Sequence, residues 1–367
     1  MPRHLQTDRW LFGSTVALCL VGAVMVFSAS AVTARDQFGN GYYFLLRQLL
    51  WLVLGLGGMM AVMNVDYRKL RRPEVVFTGL FAVLVMLVGV FFLDKSHATH
   101  RWIRLGPASL QPSELAKLAV IFYLAWFLET RRHSGSFGVN DWKHTIVPAL
   151  GPVLVLGGLV VIEPDLGTAV EIFIIAVAML YVAGLHGKYI VGAGLAALPI
   201  VYLLIVRVSY RYERVVAFLN PTADPQGRGF QLLQSLIAVG SGGFTGVGLM
   251  ESKQKLFYLP EAHTDFIFAV LCEEMGFIGG ALVLALFALY GWRGMRAAFK
   301  ATDDFGRSAA LGITVMVLSQ GLINLGVVLG MMPTKGIPLP FISYGGSSLL
   351  VMLLATGVLL NISQQAD

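Results

Sequence analysis

Asp265 is the residue in this sequence whose type and setting best suit proton transfer. Phe266, Ile267 and Phe268 follow it at once, so part of its surroundings is apolar. Apolar surroundings disfavour the charged form of a carboxyl, raise its pKa and make it a stronger base. A second reading stays open, because a carboxylate in the first turn of a helix is stabilised by the dipole with no catalytic task. His263, two residues earlier, suits a helix cap, an interface or a catalytic role. Glu273 and Glu274 lie two turns further on, where a structural pair with a Lys or Arg is the plainer expectation.

Three other stretches concentrate polar groups. In WIRLGPASLQPSELAKLA, Trp102 to Ala119, Pro112 is placed to open a helix, and Glu114 and Lys117 then share one face. They form either a buried structural ion pair or part of a site. Arg101 and Arg104 stand just before them and suggest an anionic ligand. In EPDLGTA, two carboxylates, Glu163 and Asp165, share a very short connection, and Asp165 is a candidate N-cap. In PTKGIPLPFISYGGSS, Pro333 to Ser348, prolines and glycines make an irregular run with Lys335 expected to be exposed. Irregular backbone at membrane depth is tolerated where it lines a cavity.

These stretches sit between long apolar runs. Of 367 residues, 56% are hydrophobic and 13% charged, against about 25% charged in soluble domains. Such a chain cannot cover itself with a solvated surface, so its exterior must face lipid. Runs long enough to cross a bilayer fall at 10–34, 43–64, 73–93, 112–130, 145–162, 167–185, 189–206, 264–292, 308–331 and 343–362. The expected fold is therefore all-α, a polytopic membrane protein with about ten transmembrane helices over residues 1–367. The first run follows Arg3 and Arg9 and precedes Ala29-Ser30-Ala31, but it is long for a signal peptide and reads as a retained helix.

The net charge of +6 is a matter of topology and gives no reason to expect nucleic acid. With the amino terminus in the cytoplasm, about 14 Lys and Arg fall inside, in runs such as Arg68-Lys69-Leu70-Arg71-Arg72. About 5 fall in short outer loops: Arg35, Lys95, Arg101, Arg104 and Lys335. Both termini are then cytoplasmic. The segment 207–263 becomes a large extracytoplasmic loop carrying Arg211 and Arg214, and its QLLQSLIAV has the spacing of an interfacial or re-entrant helix.

Several chemistries find no motif. There is no GxxxxGK[ST], HExxH, GxSxG or Cys-rich metal spacing. His97 and His100 read as loop residues, and Cys19 and Cys272 as buried free thiols.

QPSE with its following Lys, EPDLGT, HTDFIFA and PFISYGGSS, in that order along the chain, resemble the shape, elongation, division and sporulation family that includes RodA, FtsW and SpoVE. The short tails look more like RodA. The resemblance implies a peptidoglycan glycosyltransferase of cell elongation in the bacterial plasma membrane, acting on lipid II at the outer leaflet. It implies Asp265 as the essential aspartate and general base, with Glu114 and Lys117 as a pair beside Asp165. Where some relatives carry a Glu eight residues before that aspartate, this chain has Phe257.

In that reaction a sugar hydroxyl attacks an anomeric carbon and undecaprenyl diphosphate leaves. The leaving group is already a stable anion, so one carboxylate base suffices, unlike the pair that glycoside hydrolysis needs. Developing diphosphate charge calls for Lys117, Arg101, Arg104, Arg211, Arg214 and Lys335, or for a divalent cation. The resemblance also implies a class B penicillin-binding transpeptidase as partner. The alternative reading is a lipid II flippase, which would need polar groups reaching both faces.

Overall fold

The computed structural model describes residues 7–94, 101–105, 108–134, 138–256 and 258–366. Arg3, Lys95, the His97–His100 run and Phe257 lie outside these residues. Twelve α-helices are present among those described: α1 (Arg9–Phe38), α2 (Tyr43–Met63), α3 (Pro73–Leu93), α4 (Pro112–Ser134), α5 (Val147–Ile162), α6 (Leu166–Val182), α7 (Gly187–Val206), α8 (Ser209–Leu219), α9 (Phe230–Ser241), α10 (Ile267–Lys300), α11 (Asp304–Val328) and α12 (Gly346–Gln364). The all-α expectation misses one detail: β1 (Ile103–Leu105) and β2 (Ala108–Leu110) form a short antiparallel ribbon.

Eight of the helices are long and apolar enough to cross a membrane, counting α5 with the π turn Trp142–Ile146 that leads into it. The other two expected spans, α4 and α6, are polar or short, yet both run the full depth of the bundle. At one end Gln111 donates to Asp165, which joins the starts of the two helices (3.0 Å). At the other, Arg132 of α4 pairs with Asp304 at the start of α11 (2.7 Å), and Asn140 donates to Gly184 just past α6 (3.0 Å). Polar residues are tolerated here because the helices face the bundle interior. The protein is a multi-pass membrane protein.

Local signals set the helix ends. Asp8 caps α1 through the N–H groups of Trp10 and Leu11, and Gly39, at φ 69, ends it in the left-handed region. Pro73 opens α3 and Pro112 opens α4. Tight packing follows from small residues: a Cβ on Gly357 of α12 would lie 2.7 Å from the Met59 carbonyl of α2. The termini meet, with Gln364 donating to Thr7 (2.9 Å), so both lie at the end opposite Asp265. By contrast α7 buries no residue fully and lies at the edge of the bundle, with Tyr189 and Ile190 packed against the core.

The segment 207–263 is more than a surface connection. It holds α8 and α9, then dips between α1 and α10. Gly276, at φ 62, breaks α10 and leaves the Glu273 and Glu274 carbonyls and the Phe277 and Ile278 N–H groups without partners in the helix. The dipping chain supplies all four. Val247 and Gly248 donate to Glu273 and Glu274 (3.0 and 3.1 Å), while Gly243 and Phe244 accept from Phe277 and Ile278 (2.9 and 3.2 Å). Irregular backbone survives at this depth only when paired in this way. Gly246 has φ +84, and a Cβ on it would lie 2.1 Å from the Glu274 carbonyl, so a glycine is required.

Candidate active site

Asp265 lies two residues before α10, whose N-cap is Phe266, so dipole stabilisation within a first turn does not account for it. Three successive main-chain carbonyls fix its place. Tyr344 N–H donates to His263 (3.0 Å), Ser343 Oγ to Thr264 (2.6 Å), and Asn324 Nδ2 to Asp265 itself (2.8 Å). Asn324 also donates to Ile337 (2.7 Å), tying the irregular 333–345 run to the same helix. The Asp265 carboxylate makes no hydrogen bond to any described residue and is half-buried. A Cβ on Gly336 would come within 3.1 Å of its Oδ2, so the glycine leaves the carboxylate room. Burial, with Glu261 second, pushes the Asp265 carboxyl up to about 7, while Arg214 and Arg101 pull it down.

The expected cations divide into two groups. Arg214 makes a long hydrogen bond to the Thr334 carbonyl (3.5 Å) and lies over the Tyr210 ring (5.8 Å), and Arg101 holds the Glu163 and Pro164 carbonyls. Lys335 is half-buried rather than exposed, and desolvation lowers its pKa against the pull of Asp165. Arg211 departs from expectation as an anion-binding residue. It is buried, and its guanidinium reaches the Leu204 and Val161 carbonyls (3.2 and 3.5 Å) and the Tyr210 hydroxyl (3.0 Å). Arg104 is exposed on β1. His263 is no helix cap: its ring packs on Phe44 (4.6 Å) and Tyr344 (5.7 Å). Asp165 does cap α6 through Thr168 N–H (3.2 Å).

Lys117 is fully buried, so it is no open diphosphate ligand. Its ammonium meets Glu114 (3.1 Å), Glu171 (3.2 Å) and the Gln320 carbonyl oxygen (2.7 Å), which occupies its three donors. Gln320 passes the constraint on, donating to the Pro338 carbonyl (2.8 Å). One turn later on α11 stands Asn324. Lys117 therefore holds the floor under the 333–345 run and acts on Asp265 only through it.

The same architecture occurs in known proteins. Residues 9–367 match the FtsW, RodA and SpoVE family described as cell cycle proteins. The chain belongs to this family. It is 44% identical over 364 residues to a probable peptidoglycan glycosyltransferase FtsW of Trichlorobacter lovleyi, covering 98% of this chain and 94% of that one. It is 44% identical to stage V sporulation protein E of Bacillus subtilis over 95% of each. The Thermus thermophilus rod shape determining protein RodA, in its crystal structure, is 28% identical with a TM-score of 0.71, covering 100% of this chain and 99% of that one. A solved peptidoglycan synthase complex, described as coordinating polymerization and crosslinking, contains a chain 30% identical with a TM-score of 0.80 and 98% coverage of both. The leaning towards RodA drawn from short tails is thus corrected, since the FtsW and SpoVE relatives stand at higher identity.

Within this family fold the sequence reading undervalued four residues: Glu163, Glu171, Gln320 and Asn324. A faint signal existed for the last two, which are amides four apart in an apolar helix, the spacing of one helical face. Among the described residues no group of three or more His, Cys, Asp or Glu could hold a metal ion.

Glu163 is completely buried and neither carboxyl oxygen has a hydrogen-bond partner among the described residues. Burial and then Asp165 push it up to about 8, against Arg101. The folded protein therefore keeps a proton that the unfolded chain releases near 4.5, and stability falls as pH climbs through that window to about 8. Glu163→Gln, which never ionises, is expected to gain on the order of 2–4 kcal/mol over the native protein at about pH 9 and little at about pH 5. Thermal unfolding in detergent at the two pH values measures this; an equal difference at both would show that Glu163 is not held neutral.

Proposed function

We propose that this protein is a peptidoglycan glycosyltransferase that polymerises lipid II at the outer face of the plasma membrane. The observation that carries the reading is Asp265: a carboxylate without a hydrogen-bond partner among the described residues, held by three main-chain contacts just before α10. Its ionised form takes the proton from an acceptor sugar hydroxyl as that oxygen attacks the anomeric carbon of a second lipid II. The bond from that carbon to the diphosphate breaks, and undecaprenyl diphosphate departs with the electron pair. Arg101, Arg214 and Lys335 are the groups suited to its charge.

The orientation rests on basic residues. Arg68, Lys69, Arg71, Arg72, Arg131, Arg132, Arg293 and Arg296 all lie at the end holding both termini, which supports a cytoplasmic placement of that end. The relatives' names favour a cell-cycle or sporulation task over elongation. By analogy with the synthase complex, the partner is a class B penicillin-binding transpeptidase.

Purified protein in nanodiscs, given lipid II and no second polymerase, is expected to yield glycan strands on a gel. Failure to form strands, together with transport of lipid II between liposome leaflets, would establish the flippase reading instead.

A further inference from the structure

Lys255 and Glu274 lie ten residues before and nine after Asp265, and they meet inside the bundle. Lys255 Nζ is 2.8 Å from Glu274 Oε1 and 3.1 Å from Ser28 Oγ. Ser28 in turn donates to both Glu274 oxygens (2.6 and 2.7 Å). Beside this cluster Glu273 accepts from the Ser252 hydroxyl and from the Lys253 and Gln254 N–H groups (3.1 and 3.4 Å). All four side chains, Ser28, Lys255, Glu273 and Glu274, are at most 5% exposed. Ser28 lies ten residues from the end of α1, a depth of about 15 Å.

The chain from Lys255 to Glu274 is thus a closed loop with Asp265 near its tip. The tip is clamped from above by Asn324, Ser343 and Tyr344, and the stem is shut by two adjacent carboxylates facing different partners. Burying a Lys and a Glu is costly, and well-packed apolar residues would serve stability as well or better. A charge pair adds what apolar packing lacks, a directional contact that admits one register of the stem.

Resting on the glycosyltransferase reading, we propose that Lys255 and Glu274, with Ser28, are positioning residues that set the catalytic loop so that Asp265 meets the acceptor hydroxyl. They touch no substrate and act on turnover rather than capture. Without the stem, the loop gains the freedom of an open segment, and the carboxylate spends less time within reach of the proton.

Three variants in nanodiscs test this: Lys255→Met, the swapped pair K255E/E274K, and the apolar pair K255M/E274L. Lys255→Met is expected to lower kcat by about 10–100-fold with KM for lipid II within about threefold. The swapped pair recovers most of kcat. The apolar pair regains native thermal stability yet remains at least about tenfold down in kcat, with faster amide exchange across 258–265. An apolar pair with native kcat and native exchange would overturn the proposal, leaving the ion pair a merely structural contact. Should Lys255→Met fail to fold, the apolar pair still decides. If the native protein made no glycan, the glycosyltransferase reading would fail, and exchange at 258–265 would still judge the stem.

Discussion

Asp265→Asn is expected to lower lipid II polymerisation by about 10²–10⁴-fold while the protein still folds. Asparagine keeps the shape and the main-chain clamps from Asn324, Ser343 and Tyr344 but accepts no proton. Stability should not suffer. The native carboxyl holds its proton up to about 7 when folded and loses it near 3.8 when unfolded, so its burial costs stability increasingly as pH rises between those values. The variant should therefore be more stable than the native protein above about pH 7, by on the order of 1–3 kcal/mol after allowance for partial exposure. The same titration shapes activity. Below about 7 the base is protonated, so kcat/KM should fall about tenfold per pH unit there. Ionisation of Glu163 at about 8 adds a second negative charge beside Asp165, which opposes an anionic leaving group and bends the profile down again. A bell with limbs near these two values is the expected result, and Glu163→Gln should remove the alkaline limb alone. Native activity in Asp265→Asn, or a flat profile through pH 7, would end the general-base assignment.

Lys117→Met is expected to cost about 3–5 kcal/mol of stability, the usual cost of removing one partner from a buried pair. Glu114 and Glu171 would then face each other with no cation between them, and each already has one oxygen lacking a partner. Gln320 would lose the donor at its carbonyl oxygen, loosening its hold on Pro338 and with it the 333–345 run. Thermal unfolding and yield from membranes measure the loss. Adding Glu114→Gln and Glu171→Gln to Lys117→Met removes the stranded charges, and this triple variant should recover most of the stability and at least about a tenth of turnover. A triple variant that is stable but inactive would show that Lys117 meets the substrate during turnover.

The order of helices was legible along the chain because bilayer thickness converts directly into run length. The run 73–93 coincides with α3, and each of the ten expected spans has its helix. The dipping segment was legible only in part: QLLQSLIAV falls in α9, but nothing in the local pattern revealed that 243–248 would pair with the broken helix at Gly276. An isolated glycine in an apolar run looks the same whether it packs, bends or breaks.

The site divides in the same way. Asp265 could be singled out because its apolar neighbours are adjacent in sequence, and Asp165 because a capping residue acts within one turn. The pairing of Glu114 with Lys117 is likewise a local matter of three residues. The partners of Lys117 at 171 and 320, the clamp from Asn324 and the stem between Lys255 and Glu274 are matters of which helices lie side by side. By itself the sequence determined which runs are long and apolar enough to form the helices and which polar residues stand out beside them, since both follow from properties that neighbours along the chain share. Only the tertiary structure decided which charges neutralise one another and which carboxylate stays free, because a low-dielectric interior makes every ion depend on groups that packing alone brings near.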